Sequence, residues 1–190
     1  MKNTFVKYAS LVAVALALAQ TLQANPMITG TIGFTGRVSM DTGSSATATQ
    51  VSTWVNPHVN GTSGSFTGIA DGTAATITQP WSFNSGSIGG FWSVGGFTFD
   101  LGSSSITGQG GTPGTTGFVN VSGIGMVYGN GYAKTTMLWN FSSQDPIIAT
   151  SPDSFTFSAS NMATPDGAMT LGLLGSALTA VSLMRRKFAA

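Results

Sequence analysis

Val121-Ser122-Gly123-Ile124-Gly125-Met126-Val127-Tyr128 leads into Gly129-Asn130-Gly131 and then into Tyr132-Ala133-Lys134-Thr135-Thr136-Met137-Leu138-Trp139-Asn140-Phe141. The central Asn-Gly supplies the positive φ of a tight reversal, so the spacing predicts a β-hairpin joining residues 121–128 to 132–141. In the second arm Met137, Trp139 and Phe141 alternate with Leu138 and Asn140, which is the period of a strand with one buried face. A lone hairpin does not survive in water, so further strands must share this aromatic face.

Those strands are found by the same alternation. Ile28, Gly30, Ile32, Phe34, Gly36 and Val38 fall on one side of an extended segment, with Thr29, Thr31, Gly33, Thr35 and Arg37 on the other. Phe97, Phe99 and Leu101 alternate with Thr98 and Asp100, and Phe155 and Phe157 with Thr156 and Ser158. Turn signals lie between the runs at Asp41-Thr42-Gly43, Asn60-Gly61, Asp71-Gly72, Asn84-Ser85-Gly86 and Gly110-Gly111-Thr112-Pro113-Gly114. Twenty-three of the 26 glycines sit in residues 25–163, where helix-period patterns are missing. Short strands with frequent turns predict an all-β domain, an antiparallel β-sandwich or flattened barrel. Residues 151–163 read as a last strand and a short linker.

Within residues 25–163 two cations, Arg37 and Lys134, face five aspartates, Asp41, Asp71, Asp100, Asp145 and Asp153, for a net charge of −3. Nucleic acid, which needs clustered Lys and Arg, is not an expected partner. The chain has no cysteine and no glutamate, so stability must come from packing without disulfides. The length fits one domain.

Groupings able to do chemistry are thin. His58 is the sole histidine, and with no second histidine, cysteine or glutamate it reads as a loop residue. Asp41, Asp71 and Asp153 read as turn caps, Asp100 as a strand-end residue on the polar side, and no D-x-D-x-D-G calcium loop occurs. The stretches Gly61-Thr62-Ser63-Gly64 and Gly86-Ser87-Ile88-Gly89 lack the spacing of a serine nucleophile elbow. Residues 108–117 lack a phosphate-loop lysine and read as a flexible turn. The expectation is a protein that is not an enzyme, with no metal and no cofactor. Trp54, Trp81 and Trp92 are the candidate glycan contacts, since exposed indoles stack on sugar faces; Trp139 belongs with Met137 and Phe141 and is expected to be buried.

The two ends read differently from the body. Lys2 and Lys7 precede an uncharged, mostly apolar run from residue 8 to 19 and a polar stretch ending Leu22-Gln23-Ala24, the layout of a secretory signal peptide. Cleavage is expected after Ala24, with Ala19 as the alternative. Signal peptidase and the general export route are thereby expected partners. At the other end Thr164-Pro165-Asp166-Gly167 precedes seventeen uncharged residues and then Arg185-Arg186-Lys187. As a helix those seventeen residues would be roughly 25 Å long, the short limit for crossing a bilayer. The basic cluster would stop transfer and stay on the cytoplasmic side.

Together, motif, apolar run and basic cluster resemble the tail of the PEP-CTERM class of exosortase substrates, in the variant reading Val-Pro-Asp-Ser/Gly-Gly. Pro165, Asp166 and Gly167 match the motif, Thr170 and Leu173-Leu174-Gly175 the start of its helix, and Arg185-Arg186-Lys187 its basic end. Thr164 stands for the usual valine, and Ala168-Met169 for the usual Gly-Ser. The resemblance covers residues 164–190 only. It implies a transient inner-membrane intermediate cut near Pro165-Asp166 by a membrane-embedded exosortase-type transpeptidase, then transfer to the cell surface or release. The class is linked to exopolysaccharide and biofilm. The expected organisation is therefore a signal peptide (1–24), a secreted all-β domain (25–163) and a sorting signal (164–190). The expected role is a cell-surface or biofilm-matrix structural or adhesion protein; a carbohydrate-binding module acting on exopolysaccharide is the alternative.

Overall fold

The computed structural model describes residues 25–146 and 153–161. The expected signal peptide with Ala24, the motif at Thr164, Pro165, Asp166 and Gly167, the C-terminal apolar helix and the cluster at Arg185, Arg186 and Lys187 lie outside the described residues. Among those described, no helix is long and apolar enough to cross a membrane.

Nine strands form one antiparallel sheet: β1 Thr31–Met40, β2 Gln50–Thr62, β3 Thr76–Ile77, β4 Trp81–Ser82, β5 Ile88–Val94, β6 Phe97–Gly110, β7 Phe118–Gly129, β8 Tyr132–Gln144 and β9 Asp153–Asn161. Their order across the sheet is β3-β5-β6-β7-β8-β9-β1-β2-β4. A single 3-10 turn, Gly64–Phe66, is the one helical element among the described residues. The all-β, antiparallel expectation holds, and the form is a curled sheet, a half-barrel, with every strand in one ladder. Hydrogen bonds from residues 72–85 cross its open side. Val59 N–H donates to the Thr73 carbonyl at 2.9 Å, Ala75 N–H to Pro57 at 2.9 Å, and Thr78 N–H to Phe91 at 2.8 Å. The two edge strands are two residues each, and β5 pairs with β6 only as far as Leu101.

The β7–β8 hairpin forms as the sequence implies, with Asn130 at φ 48° and Gly131 at φ 80°. Inside the curl lies an aromatic core. Trp92 stacks on Phe99 at 5.2 Å, Trp139 on Phe157 at 5.5 Å, and Trp81 meets Phe83, Phe91, Trp139 and Phe141 edge-on. Such pairs add about 0.5–1.5 kcal/mol each beyond the area they bury. Rings this wide under a tightly paired sheet need room, and the glycines of β7 supply it. A Cβ on Gly125 would run into the Phe99 ring, and one on Gly123 into the Ser103 carbonyl and Trp139.

Several local expectations are corrected. His58 and Asn60-Gly61 lie within β2 rather than in a turn, because β1 and the segment at Ala74 pair with that strand from both sides. Residues 108–110 continue β6, so the loop spans only residues 111–117. Asp100 stands inside β6 as its fourth residue, and Asp153 is the buried first residue of β9 rather than a turn cap.

Candidate adhesive face

Trp54, Trp81 and Trp92 are 9%, 0% and 0% exposed, so none of the three offers a face to a sugar. This corrects their assignment as glycan contacts. Their sequence neighbourhoods look polar, but each occupies an inward position on a strand of the curl. Trp54 Nε1 donates to the Thr78 carbonyl at 2.9 Å. The indole N–H groups of Trp81, Trp92 and Trp139 are buried without a hydrogen-bond partner among the described residues. Each costs about 1–3 kcal/mol of lost hydration, which the ring's burial must exceed.

The aspartates divide by environment. Asp41 accepts from Thr49 N–H at 2.9 Å and Thr49 Oγ1 at 2.6 Å, closing the β1–β2 loop; burial pushes its carboxyl up, but these bonds and that from Gln50 hold it below the ordinary value. Asp71 accepts from Gly61 N–H at 2.8 Å. Asp100 pairs with Lys134 at 2.6 Å and accepts from Gly90 N–H, and those bonds hold its carboxyl low and the Lys134 ammonium high. Asp145 and Asp153 are buried together around Ser44, Ser45 and Ser143. No group of three or more His, Cys, Asp or Glu among the described residues is placed to hold a metal ion.

What the sheet does present is its outer side. Cross-strand registers align outward residues of β1, β9, β8, β7 and β6 into rows. One row runs Thr31, Ser160, Leu138, Ile124, Ser103. The next runs Gly33, Ser158, Asn140, Ser122, Ser105. A third runs Thr35, Thr156, Ser142, Asn120, and β2 extends it with His58. A fourth runs Arg37, Ser154, Gln144, Phe118. Between the exposed Arg37 at one corner and the Lys134–Asp100 ion pair beyond the other, the rows hold hydroxyls, amides and a few apolar side chains. Ile124 (48% exposed) and Leu138 (43%) face each other directly, with Met126 (45%) beside them.

Sequence reasoning singled out indoles, which are buried, and passed over these exposed polar rows. Alternation in Ser154, Thr156, Ser158 and Ser160 marks one polar face of β9, but only the register shows that four neighbouring strands turn like residues to the same side. A second surface feature, a depression of about 440 Å³, is bordered by Ser65, Ile69, Thr73, Phe97 and Asn130 and carries no ionisable side chain. Comparison of the chain with protein-family models, with curated proteins and with solved structures finds no match.

Proposed function

We propose that this chain is an exported, non-enzymatic surface or matrix protein that works through adhesion. Its tail at residues 164–190 engages the inner membrane briefly, and an exosortase-type transpeptidase cuts near Pro165-Asp166. The observation that carries the adhesive role is the five-strand outer face, whose four rows hold hydroxyl, amide and a few apolar side chains with Arg37 as their one charged residue. A protein that works through such a face needs display in quantity rather than a deep pocket, and the sorting tail fits that use.

Mass spectrometry of the protein recovered from the cell surface and from the medium tests the processing. An N-terminus at Asn25 and a C-terminus near Pro165-Asp166 is the expected result. Arg185, Arg186 and Lys187 retained on the surface form would overturn the cleavage. Recovery of the bulk of the protein from the cytoplasm would overturn the role itself.

A further inference from the structure

We infer that the outer face of β6–β9 and β1 binds an uncharged polysaccharide, laid across the strands with its hydroxyls bonded to the Ser, Thr and Asn rows. This inference deepens the adhesive reading above and rests on it. Three observations select that partner.

The first is charge. Anionic polymers and membranes need accessible cations, whereas here Lys134 is committed to Asp100 at 2.6 Å and Arg37 stands at a corner. A neutral polyol matches a surface that both donates and accepts hydrogen bonds and whose one charged row residue, Arg37, stands at its edge. The second is size. Five strands each about 4.8 Å wide and four rows each about 6.7 Å deep give the face about 640 Å². A stable protein complex buries about 800 Å² on each partner, so a second copy of this chain would have to cover the whole face to reach even the low end of that class. A repeating polymer gains affinity by engaging many displayed copies at once. The third is the Ile124–Leu138 pair with Met126, an aliphatic island about one sugar ring wide among the hydroxyls. The C–H side of a pyranose ring can pack there while its rim hydroxyls reach Ser160 and Asn140.

The test is gel retardation of the mature protein in gels containing dextran, hydroxyethyl cellulose or galactomannan, with carboxymethyl cellulose as the anionic counterpart. Asn140→Asp with Ser158→Glu places two carboxylates in one row at exposed positions that leave the core untouched. Ser93→Glu on β5 is the matching change off the face, and circular dichroism reports folding of each variant. Retardation by at least one neutral polymer, unaffected by salt, retained by the Ser93→Glu variant and weakened about tenfold or more in the double variant is the expected result. Four results overturn the inference: no retardation by any neutral polymer, retention by the double variant, binding to carboxymethyl cellulose alone that fades with salt, or concentration-dependent self-association abolished by the double variant. Cell fractionation separates this inference from the broader one. A double variant that reaches the surface but is washed from the matrix supports both, whereas wild-type protein missing from the surface sinks the surface role and leaves the binding result standing.

Discussion

The Ser45 hydroxyl lies 2.7 Å from a carboxylate oxygen of Asp153, 108 positions away in the chain, and both residues are buried. The backbone N–H of the same serine points to Asp145 at 2.6 Å. Asp145 also accepts from Ser44 Oγ at 2.7 Å and from Gly114 N–H at 2.6 Å. One carboxylate thus ties the β1–β2 loop and the β6–β7 loop to the end of β8. Hydrogen bonds to a charged acceptor are worth about 1.5–3 kcal/mol each, and stranding a buried donor costs a similar amount. Asp145→Ala should lower stability by at least about 3 kcal/mol, read from urea unfolding midpoints. A loss under about 1 kcal/mol would mean that the two loops hold themselves.

Asp153 behaves oppositely to Asp41 and Asp100 when pH changes. Burial raises its carboxyl above the ordinary 3.8; the Ser45 bonds oppose this, and the nearby Asp145 charge adds to it. The folded state then holds that proton more tightly than the unfolded chain. Its contribution is complete below 3.8 and is lost as pH climbs towards the raised folded value. Asp41 and Asp100 are lowered, so their contributions are present above 3.8 and vanish on acidification. Asp153→Asn, which keeps an acceptor for Ser45 without the ionisation, should gain on wild type as pH rises from 3.8 towards neutrality. Denaturation curves across that range check it, and a difference that stays constant with pH would count against the assignment.

How much of this was legible depended on the range of the interaction. Period-two alternation placed Phe34, Phe99, Trp139, Phe141, Phe155 and Phe157 on inward faces, and Asn130-Gly131 marked its hairpin, because both signals are local. Strand β2 escaped because Asn60-Gly61 read as a turn and His58 as a loop residue; Asn56 at φ 50° and Gly61 at φ 92° are irregularities inside a strand paired with β1. The partnership of Asp145 with Ser44 and Ser45 spans about a hundred residues and leaves no local trace. The outer rows needed register, which alternation within one strand cannot supply.

Since Trp54, Trp81, Trp92 and Trp139 all point inward, their fluorescence should be blue-shifted, poorly quenched by acrylamide and unchanged on addition of a neutral polysaccharide. Trp81→Ala should cost about 3–5 kcal/mol. Trp81→Phe should cost much less, because it also removes an indole N–H that finds no partner among the described residues. Trp54→Phe differs in one respect, leaving the Thr78 carbonyl without its 2.9 Å donor. A polysaccharide-dependent emission shift would restore the indoles as contacts and contradict their burial.

Gly123 and Gly125 let β7 lie close to β6 above the widest rings of the core. A methyl group on Gly125 would strike Phe99 and come within 2.5 Å of the Asp100 carbonyl oxygen; on Gly123 it would strike the Ser103 carbonyl and approach Trp139 Cζ2 at 3.0 Å. The obstructing atoms are backbone carbonyls and packed rings, neither of which can swing aside as a flexible side chain would. Overpacking of this kind costs about 1–3 kcal/mol. Gly123→Ala and Gly125→Ala should each destabilise by that amount, although alanine is the better tolerated residue where backbone freedom alone decides. At Gly86, where an added Cβ meets nothing within 4 Å, the same substitution should change stability by less than about 0.5 kcal/mol. Equal effects at all three positions in thermal unfolding would show that loss of glycine freedom, rather than the approach of β6 to β7, sets the cost.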